Sequence, residues 1–200
     1  MEDTDECYYL GEYTARQGYA HSPTNDLIIN LKKHPRHRGS SHWHYKQRAV
    51  TRAGIALRQA FNPAFLRTAT LIPVPPSKAH DHEFYDDRML QTLRVVGRNE
   101  AVDIRELVHQ RESTDPVHEC EVRPTPYEIA ANYYIDETFA EPVPRVIVVA
   151  DDVLTKGSHF KAMQMVLSAR FPCVPIKGVF VARRVPQPNE LEILRSLLDL

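Results

Sequence analysis

The stretch Arg145-Val-Ile-Val-Val-Ala-Asp151-Asp152-Val-Leu-Thr155-Lys156-Gly157-Ser158-His159 decides the fold that the sequence predicts. Its apolar residues 146–150, four of them β-branched, are typical of a strand buried on both faces, as in a parallel sheet. Asp151 and Asp152, the acidic pair, follow this run. The spacing of an amphipathic helix then appears at Phe160, Met163, Val166 and Leu167. The predicted order is therefore strand, acidic pair, tight loop and helix.

This order favours a phosphorylated sugar as the ligand. In open parallel sheets ligands bind beyond the carboxyl ends of the strands, and the free N–H groups of a helix N-terminus attract anions. Gly157 lets the backbone approach a phosphate, while Thr155 and Ser158 offer hydroxyl donors and Lys156 adds positive charge. The acidic pair is suited to sugar hydroxyls, or to Mg²⁺ held through its water shell.

Other protein classes also have a strand followed by two acids. Receiver domains and phosphatase-like folds carry such a pair, and many acidic pairs are only solvated strand ends. Neither alternative calls for a Thr-x-Gly-Ser loop, here residues 155–158, that leads directly into a helix. The loop therefore favours the phosphate-sugar interpretation over both alternatives.

The same residues resemble the phosphoribosyl-pyrophosphate (PRPP) loop of type I phosphoribosyltransferases. The resemblance implies that Asp151 and Asp152 contact the ribose hydroxyls and, indirectly, the Mg²⁺ that accompanies PRPP. It implies that the cradle of the 5′-phosphate consists of Thr155, Lys156, Gly157, Ser158 and His159. Lys156 and His159 stand where the family usually has hydroxyl residues.

A second loop strengthens the resemblance. Residues 69–78 read Ala-Thr-Leu-Ile-Pro-Val-Pro-Pro-Ser-Lys, a short strand that runs into a Pro-rich turn. Because prolines fix φ and remove backbone donors, the chain has a defined exit at the carboxyl end of the strand. The Ile-Pro-Val-Pro run is similar to the first loop of the ComF-like branch, which faces the pyrophosphate of PRPP. The similarity implies a pyrophosphate loop of Pro75, Pro76, Ser77 and Lys78, in which Lys78 joins the acidic pair as a catalytic residue.

The segment after this loop departs from the ComF-like pattern. That pattern continues with Arg-Gly-Phe-Asn-Gln, whereas residues 82–88 of this chain read His-Glu-Phe-Tyr-Asp-Asp-Arg and match only at Phe84. Asp86, Asp87 and Arg88 lie at the start of a helix predicted over 84–96. Acids in the first turn are favoured by the helix dipole, so a capping role and a catalytic role both stay open for this charged group.

The remaining elements follow from apolar periodicity and turn residues. We predict a strand over 7–13, a short helix or extended run over 27–33, a helix over 43–61, a parallel strand over 104–109, a helix over 125–134, a strand over 175–184 and a closing helix over 190–200. Residues 110–124 are polar and punctuated by proline, which is typical of a mobile loop that can close over a site.

A His/Arg-rich segment, residues 34–44, precedes the second of these helices. It contains four of the ten histidines together with Arg36 and Arg38, but lacks the Asp, Glu or Cys partners that usually complete a metal site. We interpret it as a solvated basic loop. Contact with a phosphate or a nucleic acid is the second interpretation.

Composition limits the function classes. The chain has 25 basic and 26 acidic residues, so its net charge does not indicate a nucleic-acid partner. No run approaches the roughly 18 apolar residues of a membrane span, and the acidic start is unlike a secretory signal. Cys7, Cys120 and Cys173 form no Cys-x-x-Cys pair. These features predict a cytoplasmic protein with reduced thiols and no membrane partner.

The predicted architecture is one compact α/β domain of the type I phosphoribosyltransferase fold, a parallel central sheet with helices on both faces. Residues 1–68 are expected to form a small N-terminal hood and the first core helix, and residues 69–200 the phosphoribosyltransferase-like core. Fold alone does not establish transferase chemistry.

The resemblance implies that the chain binds PRPP or a related ribose phosphate with Mg²⁺, and transfers the phosphoribosyl group to a nitrogen acceptor with release of pyrophosphate. One alternative is a PRPP or nucleotide sensor that kept the pocket and lost the transfer. A ligand-free scaffold is a third hypothesis, and a homodimer is left open.

Overall fold

A computed structural model describes residues 5–98, 100–114 and 124–185. The strands are β1 (Cys7–Thr14), β2 (Ala69–Pro73), β3 (Asp103–Ile104), β4 (Val108–Gln110), β5 (Tyr133–Ile135), β6 (Val146–Leu154) and β7 (Ile176–Val185). The helices are α1 (Pro23–Leu31), α2 (Trp43–Ala60), α3 (Pro63–Leu66), α4 (Arg88–Val96), α5 (Pro126–Ala131) and α6 (Ser158–Arg170). The predicted closing helix over 190–200 lies outside the described residues.

The central sheet has five parallel strands in the order β1-β7-β6-β2-β3. Strand β6, which contains the deciding stretch, lies in the middle, as its continuous apolar run predicts. Its register with β2 ends where Pro73 pairs with Ala150. A separate antiparallel pair consists of β4 and β5.

Helices cover both faces of the sheet, so the prediction of a parallel α/β sheet flanked by helices is confirmed. Side chains of successive strand residues point to opposite faces. Val148 and Ala150 of β6 belong to a buried cluster with residues of α1, α2 and α4. Ile147 and Val149 belong to a second cluster with residues of α5 and α6. The alternation places Asp152 on the α1/α2/α4 face and Asp151 on the α5/α6 face.

Residues 7–14 are part of the sheet itself. Strand β1 pairs in parallel with β7 from Cys7 to Thr14, where we expected a hood. Helix α1 begins at Pro23 because Ser22 accepts a hydrogen bond from the backbone N–H of Asn25, which settles the choice between a helix and an extended run. Asn25 in turn holds the end of β1, since its side chain donates to the carbonyl of Thr14 at 2.8 Å.

The parallel strand predicted over 104–109 is wrong in its second half. Only Asp103 and Ile104 pair with β2, after which the chain leaves the sheet and forms β4. Arg105 explains the departure, because its buried guanidinium donates to the carbonyls of Phe139 at 3.0 Å and Ala140 at 3.2 Å. The chain is therefore drawn toward the segment that follows β5.

Helix α4 begins four residues later than the predicted start at Phe84. Arg38 explains part of the delay, because its guanidinium donates to the carbonyls of Glu83 and Tyr85, which a helix would use for its own first turns. None of the helices in the described part of the chain is long and apolar enough to cross a membrane.

Candidate functional site

The acidic pair lies within strand β6 and does not close it, contrary to the expectation from the sequence. Strand β7 keeps pairing with β6 at Asp151 and as far as Leu154. Strand β2 leaves the sheet earlier, and the backbone N–H of Val74 donates to the carbonyl of Ala150 at 2.9 Å. The acidic pair therefore stands beside the exit of the Pro-rich turn.

Asp152 is buried and holds two cations. Its Oδ1 accepts from Lys32 Nζ at 3.1 Å, and its Oδ2 accepts from Arg88 Nε at 2.8 Å and Nη2 at 2.6 Å. Burial alone would raise the pKa of Asp152, but Lys32 and Arg88 outweigh burial and hold the pKa well below its usual range. Asp152 is therefore a carboxylate at neutral pH, and both of its oxygens are engaged.

The ion pair continues into a buried network that sequence reasoning missed. Arg88 Nη1 and Lys46 Nζ both donate to Asp86 Oδ2 at 2.7 Å. Lys46 also donates to the carbonyls of Leu31 at 3.0 Å and Lys33 at 2.8 Å. Burial lowers the pKa of Lys46 to about 8 despite the opposing effect of Asp86. The network joins the end of α1, the start of α4 and the end of β6.

The capping role left open for this charged group is wrong, whereas the catalytic role stays a prediction. Asp86 spans Lys46 and Arg88 and caps no helix. Asp87 is the residue before α4, and its carboxylate accepts from the side chain of Gln91 at 2.7 Å instead of capping the helix backbone. No local sequence signal could have revealed the network, because Asp152 and Lys32 are separated by 120 residues.

Asp151 has the opposite electrostatic environment. Its Oδ1 accepts from the backbone N–H of Asp152 at 2.7 Å, and the side chain is half-buried. Burial and the neighbouring charge of Asp152 raise the pKa of Asp151 well above its usual range. Two adjacent acids thus have pKa values moved in opposite directions, a feature that is common in functional sites.

The loop after β6 turns sharply into α6. Gly157 has φ 78° and ψ 11°, and no side chain caps the N-terminus of α6. Thr155 and Lys156 are exposed, whereas Ser158 and His159 are half-buried in the first turn of the helix. The five residues predicted for the phosphate cradle therefore form one loop and helix start at the carboxyl end of β6, next to the acidic pair.

Gly157→Ala is expected to lower the free energy of unfolding by about 1–2 kcal/mol, since an L side chain is disfavoured in the left-handed region. The measurement is urea denaturation followed by circular dichroism. Gly18→Ala is the matched control, because Gly18 has φ −77° and a Cβ added there meets nothing within 4 Å. Equal effects of the two substitutions would contradict the left-handed conformation at Gly157.

His159 is held in place by Tyr133 of strand β5. Its Nδ1 and the hydroxyl of Tyr133 share a hydrogen bond of 2.9 Å. Burial lowers the pKa of His159, although Asp152 opposes the change, so the ring is neutral at neutral pH. Burial and then Asp151 raise the pKa of Tyr133, which keeps the proton of its hydroxyl. Sequence reasoning placed His159 in the loop but missed Tyr133.

The Pro-rich turn is held in place by the segment after β4. The carbonyl of Ser77 accepts from the backbone N–H of Thr114 at 2.7 Å, and the backbone N–H of Ala79 donates to Ser113 Oγ at 2.9 Å. The side chain of Gln110 donates to the carbonyl of Pro76. Pro75 is buried, whereas Pro76, Ser77 and Lys78 are half-buried. The turn and residues 110–114 therefore form one bonded unit.

Asn132 fixes this unit to α5. Its side chain donates to Gln110 Oε1 at 2.7 Å and to the carbonyl of Glu112 at 2.9 Å, and it accepts from the backbone N–H of Glu112 at 3.0 Å. Residues 110–114 of the predicted mobile loop are thus tethered, and residues 115–123 lie outside the described part of the chain. The prediction of a closing loop stays a prediction.

The hydrogen bonds of the acidic pair limit how it could hold a metal ion. Asp152 has both oxygens occupied by cations, so Asp152 cannot coordinate Mg²⁺ directly as it stands. Within the described ranges, 5–98, 100–114 and 124–185, no cluster of three or more His, Cys, Asp or Glu residues could hold a metal ion. The half-exposed carboxylate of Asp151 suits a contact with the water shell of a metal that arrives with its ligand.

Comparison of the chain with protein-family models and with curated proteins finds no match.

Proposed function

We propose that the central sheet binds PRPP or a closely related ribose phosphate at the edge where the Pro-rich turn and the loop after β6 lie. The observation that carries the proposal is the meeting of the two loops that were identified separately in the sequence. Val74 and Ala150 share a backbone hydrogen bond, so the Pro-rich turn leaves the sheet directly beside the acidic pair and the uncapped start of α6. A phosphate at one loop and a pyrophosphate at the other would lie on either side of a ribose.

The two acids take different roles in this proposal. Asp151 is the acceptor for a ribose hydroxyl, because its second oxygen has no bond among the described residues and its site is half-exposed. Asp152 keeps Lys32 and Arg88 at the strand end, where Lys32, with 41% of its side chain exposed, is a cation that a bound phosphate group can reach. Lys78 is the proposed cation on the pyrophosphate loop.

Transfer would proceed at C1′ of the ribose. The bond from C1′ to the pyrophosphate oxygen breaks and its electron pair leaves with pyrophosphate, while the lone pair of a nitrogen acceptor forms the new bond to C1′. The acceptor nitrogen then releases a proton to solvent. Mg²⁺ bound with PRPP would supply positive charge to the leaving group, and this chain's residues would position the ribose and complement the phosphates.

Space for an acceptor lies next to the pyrophosphate loop. An open cavity of about 660 Å³ begins at Ala79 and extends to Arg111 and Ser113. Its lining also includes Asp81, His82 and Glu83, so it is polar and suits a nitrogenous molecule with hydrogen-bond donors.

The second candidate function is a sensor that binds the same ligand without transfer. The full engagement of Asp152 by two cations favours it, since only Asp151 is then available to the ribose and its metal. Release of pyrophosphate in the presence of nitrogen acceptors distinguishes the two functions: ligand binding with no release supports the sensor.

Calorimetric titration with PRPP and Mg²⁺ tests the proposed site. We expect wild-type protein to bind, and Asp151→Asn to bind at least about tenfold more weakly because it loses a charged hydrogen bond to the ribose. Glu12→Gln is the control, because Glu12 is an ion-paired acid on β1, two strands from β6. Absence of binding at millimolar PRPP, or equal weakening in both variants, would refute the proposal.

A further inference from the structure

Positive charge is segregated in one part of this nearly neutral chain. Residues 32–48, which we call the basic segment, contain six Lys or Arg residues, four His residues and no Asp or Glu. The rest of the chain therefore has 19 basic residues against its 26 acidic ones. A local excess of this kind predicts a polyanionic partner even where the net charge does not.

The acidic residues that form ion pairs with the basic segment, Asp152 and Asp86, are buried. In the part of the chain that the structure describes, its ion pairs are those of Lys32 with Asp152 and Lys46 with Asp86. No ion pair among those residues involves Arg36 or Arg48, which are both exposed. By contrast, Arg52 one turn further along α2 holds Asp26 at 2.7 Å. The outward face of the segment is thus not neutralised.

This face combines cations with exposed rings. His44 and Tyr45 lie at the start of α2 with ring centroids 4.0 Å apart, and Lys33 Nζ lies 5.2 Å from the centroid of Tyr45. Arg48 is one turn from both rings, and all three side chains are exposed. Rings interleaved with unpaired cations provide stacking for bases and charge for phosphates, which a lipid surface does not require.

The start of α2 also carries charge of the unfavourable sign. No side chain caps this helix end, and its first turn contains His44 and Lys46 but no acid. Cations near a helix N-terminus oppose the helix dipole and cost stability, whereas an anion would be attracted there. Lys46 is already paired with Asp86 in the buried network, so the helix dipole is the feature of this helix end that favours an anion.

We propose that the basic segment binds single-stranded nucleic acid through its outward cations and rings, which are Lys33, Arg36, His44, Tyr45 and Arg48. The backbone phosphates contact the arginines and the bases stack on the exposed rings. The surface reaches the candidate site, because Lys32, the neighbour of Lys33, holds Asp152 at the end of β6. This activity is independent of PRPP binding.

Fluorescence anisotropy with a labelled oligothymidylate of about 20 nucleotides tests the proposal. Wild-type protein should bind with an affinity that falls as salt is raised from about 50 to 200 mM. Arg36→Ala/Arg48→Ala should bind at least about tenfold more weakly, and the slope of log affinity against log salt should fall by about 0.7 for each lost phosphate contact.

Two further variants separate charge from stacking. Arg67→Ala/Arg94→Ala removes the same charge from exposed positions outside the segment and should leave binding unchanged. His44→Ala/Tyr45→Ala should weaken binding to the single strand by about tenfold with little change in the salt slope, and should affect a duplex of equal length less.

Several results would overturn the proposal. An affinity for the oligonucleotide that does not depend on salt would do so, as would equal losses of affinity in the two double-arginine variants. Duplex binding as tight as single-strand binding, with no effect of His44→Ala/Tyr45→Ala, would also do so. The same holds for binding to phosphatidylserine vesicles but not to the oligonucleotide. PRPP titration of Arg36→Ala/Arg48→Ala is expected to match wild type, so failure of this surface and failure of the PRPP site are distinguishable.

Discussion

Arg88→Met is expected to lower the free energy of unfolding by about 3 kcal/mol, measured by urea denaturation at pH 7. The guanidinium lies between Asp86 and Asp152, and its removal leaves two buried carboxylates with one lysine each. Breaking a buried ion pair from one side typically costs about 3–5 kcal/mol, and the remaining lysines justify the lower end. The chain would lose the ion pair that links the start of α4 to β6.

Arg52→Met is the matched control for this prediction. Arg52 also lies on a helix and forms an ion pair with an aspartate, Asp26, at 2.7 Å, but the side chain of Arg52 is 49% exposed. Exposed pairs contribute only about 0–1 kcal/mol, so the two substitutions should differ by about 2 kcal/mol or more. A similar loss of unfolding free energy in Arg88→Met and Arg52→Met would show that the buried network contributes no more to stability than an exposed ion pair.

Acidification provides a second check on Arg88→Met. In the variant the charge of Asp152 is poorly compensated, so Asp152 should take up a proton at a higher pH than it does in the wild type. Protonation removes the charge that the variant cannot satisfy. The difference in unfolding free energy should therefore narrow as the pH falls toward about 4 and below. A difference independent of pH would point to lost packing and not to lost charge.

The parts of the fold that the sequence predicted are those with a strong local pattern. The apolar run of β6, the β-branched run of β7 and the Pro-terminated strand β2 all lie where they were expected. These three strands are neighbours and parallel, so their carboxyl ends lie at one edge of the sheet. The Pro-rich turn and the loop after β6 therefore leave the sheet at the same edge, where Val74 is bonded to Ala150.

The charges that shape the site could not be predicted, because they depend on residues far apart in the sequence. In the sequence, Arg88 is one member of a charged helix start, and Lys32 lies near the end of the run over 27–33. Neither position indicates an interaction with Asp152, which requires the chain to bring α1 and α4 to the same end of β6. The end of the strand predicted over 104–109 could not be predicted for the same reason. Arg105 draws the chain out of the sheet, and its partner Phe139 lies 34 residues further along the sequence.

The two adjacent acids are expected to respond with opposite signs to the same substitution. Asp151→Asn should raise the free energy of unfolding at pH 7 by more than about 1 kcal/mol, since one unit of pKa shift corresponds to about 1.4 kcal/mol. Asp152→Asn should lower it by about 3 kcal/mol, because Lys32 and Arg88 would lose their carboxylate. Urea denaturation of both variants beside wild type measures the two effects.

The pH dependence of Asp151→Asn follows from the direction of the pKa shift. The folded protein resists ionising Asp151, whereas the unfolded chain ionises it above a pKa of about 3.9. The wild type therefore pays a penalty that is absent below about pH 4 and grows as the pH rises toward the raised pKa of the folded state. The gain in unfolding free energy of the variant over the wild type should grow over the same pH interval. A gain that is independent of pH, or a lower unfolding free energy of the variant, would contradict the unfavourable electrostatic environment of Asp151. An acid kept at the cost of stability is expected where a ligand uses its charge, so the same substitution should weaken PRPP binding while it stabilises the fold.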